Sequence, residues 1–268
     1  MNRLNKIYQY VNILSLDVVA GSVICSLFFA RLFSAAVSFY TLSALGLTVW
    51  IVYTLDHLRD ALIIPVTSTD RHRFHEKYFK WIFITALVMI LLDFVVIWFV
   101  PLKVLMYGSV LWMIVLLYLI LQRYLKFLKE LFVACLYTAG VLLPSMASMN
   151  ATLVPLDFLL IGKFFLTALM NLLLFSLFDY SQDRKQQQHS FVTWFGPSST
   201  RRSILVFGLF NILSGIRLWS FDRNVALIFI AMNATLLTIL FMRKRLVSNN
   251  LYRILGDSVF FIPLLYLI

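Results

Sequence analysis

The sequence predicts an all-α protein, a polytopic membrane helical bundle of about nine transmembrane helices forming a single domain over residues 1–268. Three observations predict it. Hydrophobic residues fill 62% of the 268 positions and charged residues only 13%, whereas a soluble domain is nearer half apolar and a quarter charged. The mean hydropathy is +0.90. The apolar residues also come in long runs, close to the roughly 20 residues that cross a bilayer. Such a chain lacks the polar surface to cover itself in water. The same composition excludes disorder, collagen, a coiled coil and a disulfide scaffold.

The runs fall at about 13–33, 37–57, 79–100, 102–122, 128–148, 156–178, 202–220, 224–242 and 252–268. Met1 to Tyr10 is polar and mildly basic and leads into a long apolar stretch, which reads as a first span and not as a cleaved signal peptide. The short Arg31–Ala36 region splits the first two runs, and Pro101-Leu102-Lys103 splits the third from the fourth. Cys25 and Cys135 sit inside apolar runs and read as small core residues.

The chain carries 23 Lys and Arg against 12 Asp and Glu. A net charge of +11 raises nucleic acid as a partner, but the positions of the charges argue against it. Of the 23, 18 lie at the N-terminus and in the loops after the second, fourth, sixth and eighth runs. The positive-inside rule then puts the N-terminus in the cytoplasm and the C-terminus outside. The basic excess reads as a topology signal beside anionic membrane lipid, with no nucleic acid involved.

Two cytoplasmic loops stand out by length, about Leu58 to Tyr78 and about Asp179 to Thr200. Loops this long in an economical bundle carry function. All four histidines, His57, His72, His75 and His189, lie in or at the start of these loops. Each loop also opens on the same pattern. Asp56-His-Leu-Arg-Asp60 ends the second run, and Asp179-Tyr-Ser-Gln-Asp183 ends the sixth. Residues four apart share a helix face, so each pattern points two carboxylates the same way. Paired carboxylates repel, more so when partly buried, and make sense where a cation is bound. Mg2+ is commonly held by one or two carboxylates together with substrate phosphates. The two pairs therefore read as metal and catalytic acids, with Arg59, Arg71, Arg73, Arg184 and Lys185 as candidates for neutralising a diphosphate. The plain alternative for a single such pair is a solvated helix end.

This arrangement resembles the UbiA-type membrane prenyltransferase superfamily. Asp179-Tyr-Ser-Gln-Asp183-Arg-Lys185, followed by Ser190-Phe-Val-Thr-Trp-Phe-Gly196, is similar to that family's second acidic motif, although Gln186-Gln187-Gln188 stands where a Gly is usual. Lys129-Glu130 through Tyr137-Thr-Ala-Gly140-Val-Leu-Leu-Pro144 resembles its fifth helix. In the first motif Asp56 and Asp60 match the last two acids, while Val52 and Tyr53 replace the usual Asn and Asp. The resemblance implies nine helices around a central cavity and two acidic motifs that bind an isoprenoid diphosphate through Mg2+. It implies prenyl transfer to a lipophilic, aromatic-type acceptor inside apolar walls. The altered first motif keeps a non-catalytic isoprenoid-binding member open, and a small-molecule transporter is the third reading.

Further polar residues are candidates for the cavity. Asn171 lies two helical turns before Asp179 and either orients substrate or bonds a neighbouring helix. Tyr53 and Tyr137 either face the cavity or pack. Asp17 and Asp93 interrupt apolar runs, where a carboxylate marks function or pairing. Asp17 is expected near the acidic mouth, Asp93 beside Lys163 or Arg31, and Asp257 beside Arg253 at the cytoplasmic surface.

Overall fold

The computed structural model describes residues 3–63, 70–122, 124–246 and 251–268. Positions 64–69 of the first expected loop, and Arg123 of the basic loop after the fourth run, lie outside the described residues. Among the described residues every regular element is helical. In order these are α1 (Arg3–Ile13), α2 (Leu16–Leu32), α3 (Phe39–Ile63), α4 (Asp70–Lys77), α5 (Phe79–Ile97), α6 (Leu102–Leu121), α7 (Lys129–Ser148), α8 (Pro155–Lys185), α9 (Phe191–Leu218), α10 (Arg223–Phe241), α11 (Arg243–Leu246), α12 (Leu251–Ser258) and α13 (Leu264–Leu267). Short 3-10 turns at Lys126–Leu128 and Val259–Phe261 join neighbours.

Local chemistry sets several of these boundaries. Pro155 starts α8, where the missing N–H costs nothing. Asp222 caps α10 by accepting from the N–H groups of Asn224 and Val225 at 2.9 and 3.0 Å, which satisfies donors that no helical carbonyl can reach. Inside α9, Gly196 has φ +82°, a left-handed conformation that glycine enters without strain. It kinks the helix just ahead of Pro197.

Six helices among the described residues are long and apolar enough to cross a membrane: Phe39–Leu62, Phe79–Ile97, Leu102–Leu121, Lys126–Ser148, Pro155–Lys185 and Arg223–Phe241. The chain is an integral membrane protein on this account. The three other expected spans differ for identifiable reasons. The helix α2 has 17 residues, too few by that measure, because Ser15 (φ 56°) breaks it from α1. The kinked α9 carries Arg201 and Arg202. The run 252–268 is divided into α12, a 3-10 turn and α13, with Pro263 just ahead of α13. The two long loops are also more ordered than expected. One contains α4, and most of the other is taken up by the end of α8 and the start of α9.

The outward faces of α5 and α6 are apolar, with Leu91, Phe94, Met113 and Ile120 exposed, as a lipid-facing surface requires. The tightest core lies where α2, α8 and α10 meet. There Phe29 sits 5.1 Å edge-on to Phe164, and Phe28 6.1 Å from Phe229. The buried Lys163 belongs to a polar node in this region. It donates to the Asn211 carbonyl and, at 2.9 Å, to Ser214 Oγ, and Asn211 donates to Asn233 Oδ1 at 3.0 Å. Arg31 instead donates to the carbonyls of Tyr266 and Leu267. Neither cation therefore partners Asp93, contrary to the sequence expectation. Cys25 is buried as expected, while Cys135 is exposed on α7.

Candidate functional site

A cavity of about 820 Å³ lies among α3, α5, α6, α7 and α8, with α4 and α12 at one end. Its walls are mostly apolar and its polar groups gather where α3 and α8 end. Asp56 and Asp60 lie in the last two turns of α3, and Asp179 and Asp183 in the last two turns of α8. All four line the cavity. Carboxylates at helix C-termini stand beside the negative end of the helix dipole, so this placement adds to the demand for positive charge.

The four acids are held differently. Asp56 Oδ1 accepts from Gln122 Nε2 at 2.8 Å, and Tyr118 in turn donates to Gln122 Oε1 at 3.3 Å. Asp183 Oδ2 accepts from Ser190 Oγ at 2.9 Å. Ser190 also starts α9, its N–H donating to Thr193 Oγ1 at 2.8 Å, which ties the acid to the cap of the next helix. Asp179 has both oxygens engaged. Tyr252 donates to Oδ1, and Arg253 Nη2 reaches Oδ2 at 2.5 Å. Among the described residues, Asp56 Oδ2, Asp183 Oδ1 and both oxygens of Asp60 have no protein donor.

Of the basic residues expected to meet a diphosphate, only Arg71 lines the cavity. Arg59, Arg73, Arg184 and Lys185 do not. Lys185 is two positions beyond Asp183, so helical rotation carries it off the acid face, and it is exposed. Two further cations line the cavity, Lys129 and Arg253. The sequence placed Lys129 in the stretch resembling the family's fifth helix and Arg253 beside Asp257, and made neither a diphosphate candidate. For Arg253, the expected neighbour Asp257 was four residues away, whereas Asp179 is 74 residues away.

Beside the acids is a second polar group. Arg71 Nη2 donates to the backbone and side-chain oxygens of Asn12 at 2.8 and 2.9 Å. Asn12 Nδ2 then donates to Asp17 at 2.6 Å and Asp257 at 3.2 Å. Asp17 therefore holds this network together and does not line the cavity, while Asp257 lines it and is buried, not at the surface beside Arg253. His75 Nδ1 lies 2.9 Å from the Arg71 carbonyl and seats α4. Burial pushes the His75 imidazole below its usual range, and the Arg71 charge adds to this.

Tyr53, Tyr137 and Asn171 all line the cavity, as expected. Tyr137 stacks on Phe164 with ring centroids 6.0 Å apart. Asn171 is buried, and its Oδ1 has no protein partner among the described residues. Gly256 makes that packing possible, because a Cβ there would stand 2.5 Å from Asn171 Oδ1 and 2.5 Å from Phe175.

The donor set suits a hard cation. It offers carboxylate oxygens, and no three His, Cys, Asp or Glu among the described residues converge to hold a metal alone. Mg2+ fits that set, since it seldom takes an all-protein cage.

No family profile and no curated protein sequence matches the chain. Solved structures do match in fold. A UbiA homologue from Archaeoglobus fulgidus bound to GPP and Mg2+ superposes with a TM-score of 0.68 at 11% identity, covering 95% of this chain and 98% of that one. The form bound to DMAPP and Mg2+ gives 0.64 at 12%, with the same coverage. The apo UbiA homologue from Aeropyrum pernix gives 0.68 at 12%, covering 93% and 96%. The chain thus has the UbiA-type membrane fold over nearly its whole length.

Proposed function

We propose that this protein is an intramembrane, Mg2+-dependent prenyltransferase that moves a prenyl group from an isoprenoid diphosphate to a lipophilic acceptor. One observation carries the reading: two i, i+4 carboxylate pairs, from the ends of α3 and α8, line one cavity whose remaining walls are largely apolar. The fold shared with homologues bound to GPP or DMAPP and Mg2+ supports it.

On this reading Asp56, Asp60, Asp179 and Asp183 would hold Mg2+, and Arg253, which pairs with Asp179, would be at hand for the phosphates. Bound there, Mg2+ supplies charge stabilisation to the departing diphosphate. Lys129, Arg71 and Arg253 add positive charge on the same side. Tyr53, Tyr137 and Asn171 orient the substrates. The apolar walls keep water from the cation-like allylic carbon. The acidic mouth faces the cytoplasm, with the N-terminus inside and the C-terminus outside, which the distribution of basic residues supports.

A second reading, isoprenoid binding without turnover, has its own support. Val52 and Tyr53 replace an amide and an acid of the first motif, and Asp179 is already neutralised by Arg253. The test is diphosphate release by the purified protein from labelled prenyl diphosphates, with Mg2+ and a membrane lipid extract as acceptor source. Release that disappears in D183A supports transfer. Mg2+-dependent binding without release supports the second reading. Release unchanged in D183A and D60A overturns the site.

A further inference from the structure

Part-way along the cavity from the acidic mouth lies a carboxylate that the diphosphate chemistry does not use. Asp93, on α5, is 9% exposed and lines the cavity. Its Oδ2 accepts from Thr48 Oγ1 at 3.2 Å. Its Oδ1 is buried with no partner among the described residues. Thr48 lies on α3 eight residues before Asp56, so the carboxylate sits about 12 Å along that helix from the mouth acids. The two buried or interfacial cations of the inner helices, Lys163 and Arg31, are engaged elsewhere. The cavity lining also includes the apolar side chains of Ile97, Val104 and Leu105.

A carboxylate inside a membrane bundle is costly unless it is paired. Thr48 supplies one donor and leaves one oxygen unsatisfied. Rotation about χ2 exchanges the two oxygens of an Asp at little cost, so either one can be turned to a ligand. A hydrocarbon prenyl tail packed here would leave that oxygen unpartnered. An O–H group would satisfy it.

We propose that the part of the cavity around Asp93 is a recognition site for the hydroxyl of a lipophilic alcohol or phenol, which donates to the Asp93 carboxylate while Thr48 holds that carboxylate in place. The inference deepens the prenyl-transfer reading, on which it rests, by giving the acceptor a chemical class: a lipophilic molecule with a hydrogen-bond donor about 12 Å from the diphosphate end. A hydrogen bond to a charged group corresponds to about ten- to a hundredfold in affinity.

The test is calorimetric titration of the full-length protein in lipid nanodiscs with 4-hexylphenol and its methyl ether, 4-hexylanisole. The two probes differ only by the O-methyl group that removes the donor. Wild type and D60N should bind the phenol at least about tenfold tighter than the ether. In D93L the two should bind about equally. Should D93L fail to fold, D93N keeps the shape, and there the phenol advantage should shrink at least about threefold. An equal phenol-to-ether ratio in wild type and in the folded Asp93 variant overturns the proposal. So does a preference lost in D60N and retained in D93N. Mg2+-dependent binding of geranyl diphosphate, measured on the same samples, separates the two ideas: its absence counts against the diphosphate reading, whereas an unchanged ratio counts against the Asp93 site.

Discussion

Arg253→Gln isolates what the acid cluster needs. In the ligand-free protein Arg253 is the cation that sits on Asp179, at 2.5 Å, with side-chain exposures of 28% for Arg253 and 12% for Asp179. Breaking a fully buried pair costs about 3–5 kcal/mol, and an exposed pair is worth about 0–1 kcal/mol. This half-buried pair falls between, so R253Q should lose about 2 kcal/mol. In a chain of this size that is a fall in Tm on the order of 5 °C. The substitution also removes the guanidinium that pairs with Asp179. Mg2+ should then replace the guanidinium, and millimolar Mg2+ should raise the Tm of R253Q more than that of wild type. The assay is thermal unfolding in detergent, with and without Mg2+. A destabilised R253Q that Mg2+ does not rescue would refute the idea that these acids form a cation site, as would an R253Q as stable as wild type.

Other expectations follow from individual contacts. Gly256→Ala places a methyl 2.5 Å from both Asn171 and Phe175, so it should destabilise by about 1–3 kcal/mol in the same unfolding assay. Gly196→Ala meets no neighbour within 4 Å but must adopt φ +82° with ψ 160°, so its cost should be about 1–3 kcal/mol of backbone strain alone. Ser190→Ala removes the donor to Asp183 and should lower Mg2+-dependent geranyl diphosphate binding while costing about 1 kcal/mol of stability. His75 is held neutral, its pKa below the ordinary 6.5, so an unfolded chain takes up a proton that the folded chain refuses. Its contribution to stability is therefore complete above about pH 6.5 and is lost as pH falls toward the folded pKa. A pH series of Tm values should show this slope in wild type and a shallower one in H75Q.

The acidic pairs were legible because i, i+4 spacing is a local property of one helix, and it placed Asp56 with Asp60 and Asp179 with Asp183 on single faces. The cations that meet them were not legible. Lys185 and Arg184 are neighbours of Asp183 in sequence, yet a helix turns each consecutive residue away from the last, and only positions three or four apart meet. Arg253 and Lys129 arrive from other helices, and nothing in the local sequence marks such long-range meetings. Asp93 shows the same limit, since its donor Thr48 is 45 residues away. The last run is likewise interrupted: Arg253, Gly256 and Asp257 fall in its first half, and the chain there breaks around a 3-10 turn and Pro263.

The most direct test of the central claim is calorimetric titration of geranyl diphosphate into the purified protein, with and without Mg2+, for wild type and the D60N/D183N double variant. The account predicts binding to wild type only when Mg2+ is present, and a loss of at least about a hundredfold in the double variant. Equal binding without Mg2+, or binding by D60N/D183N at the strength of wild type, would contradict it.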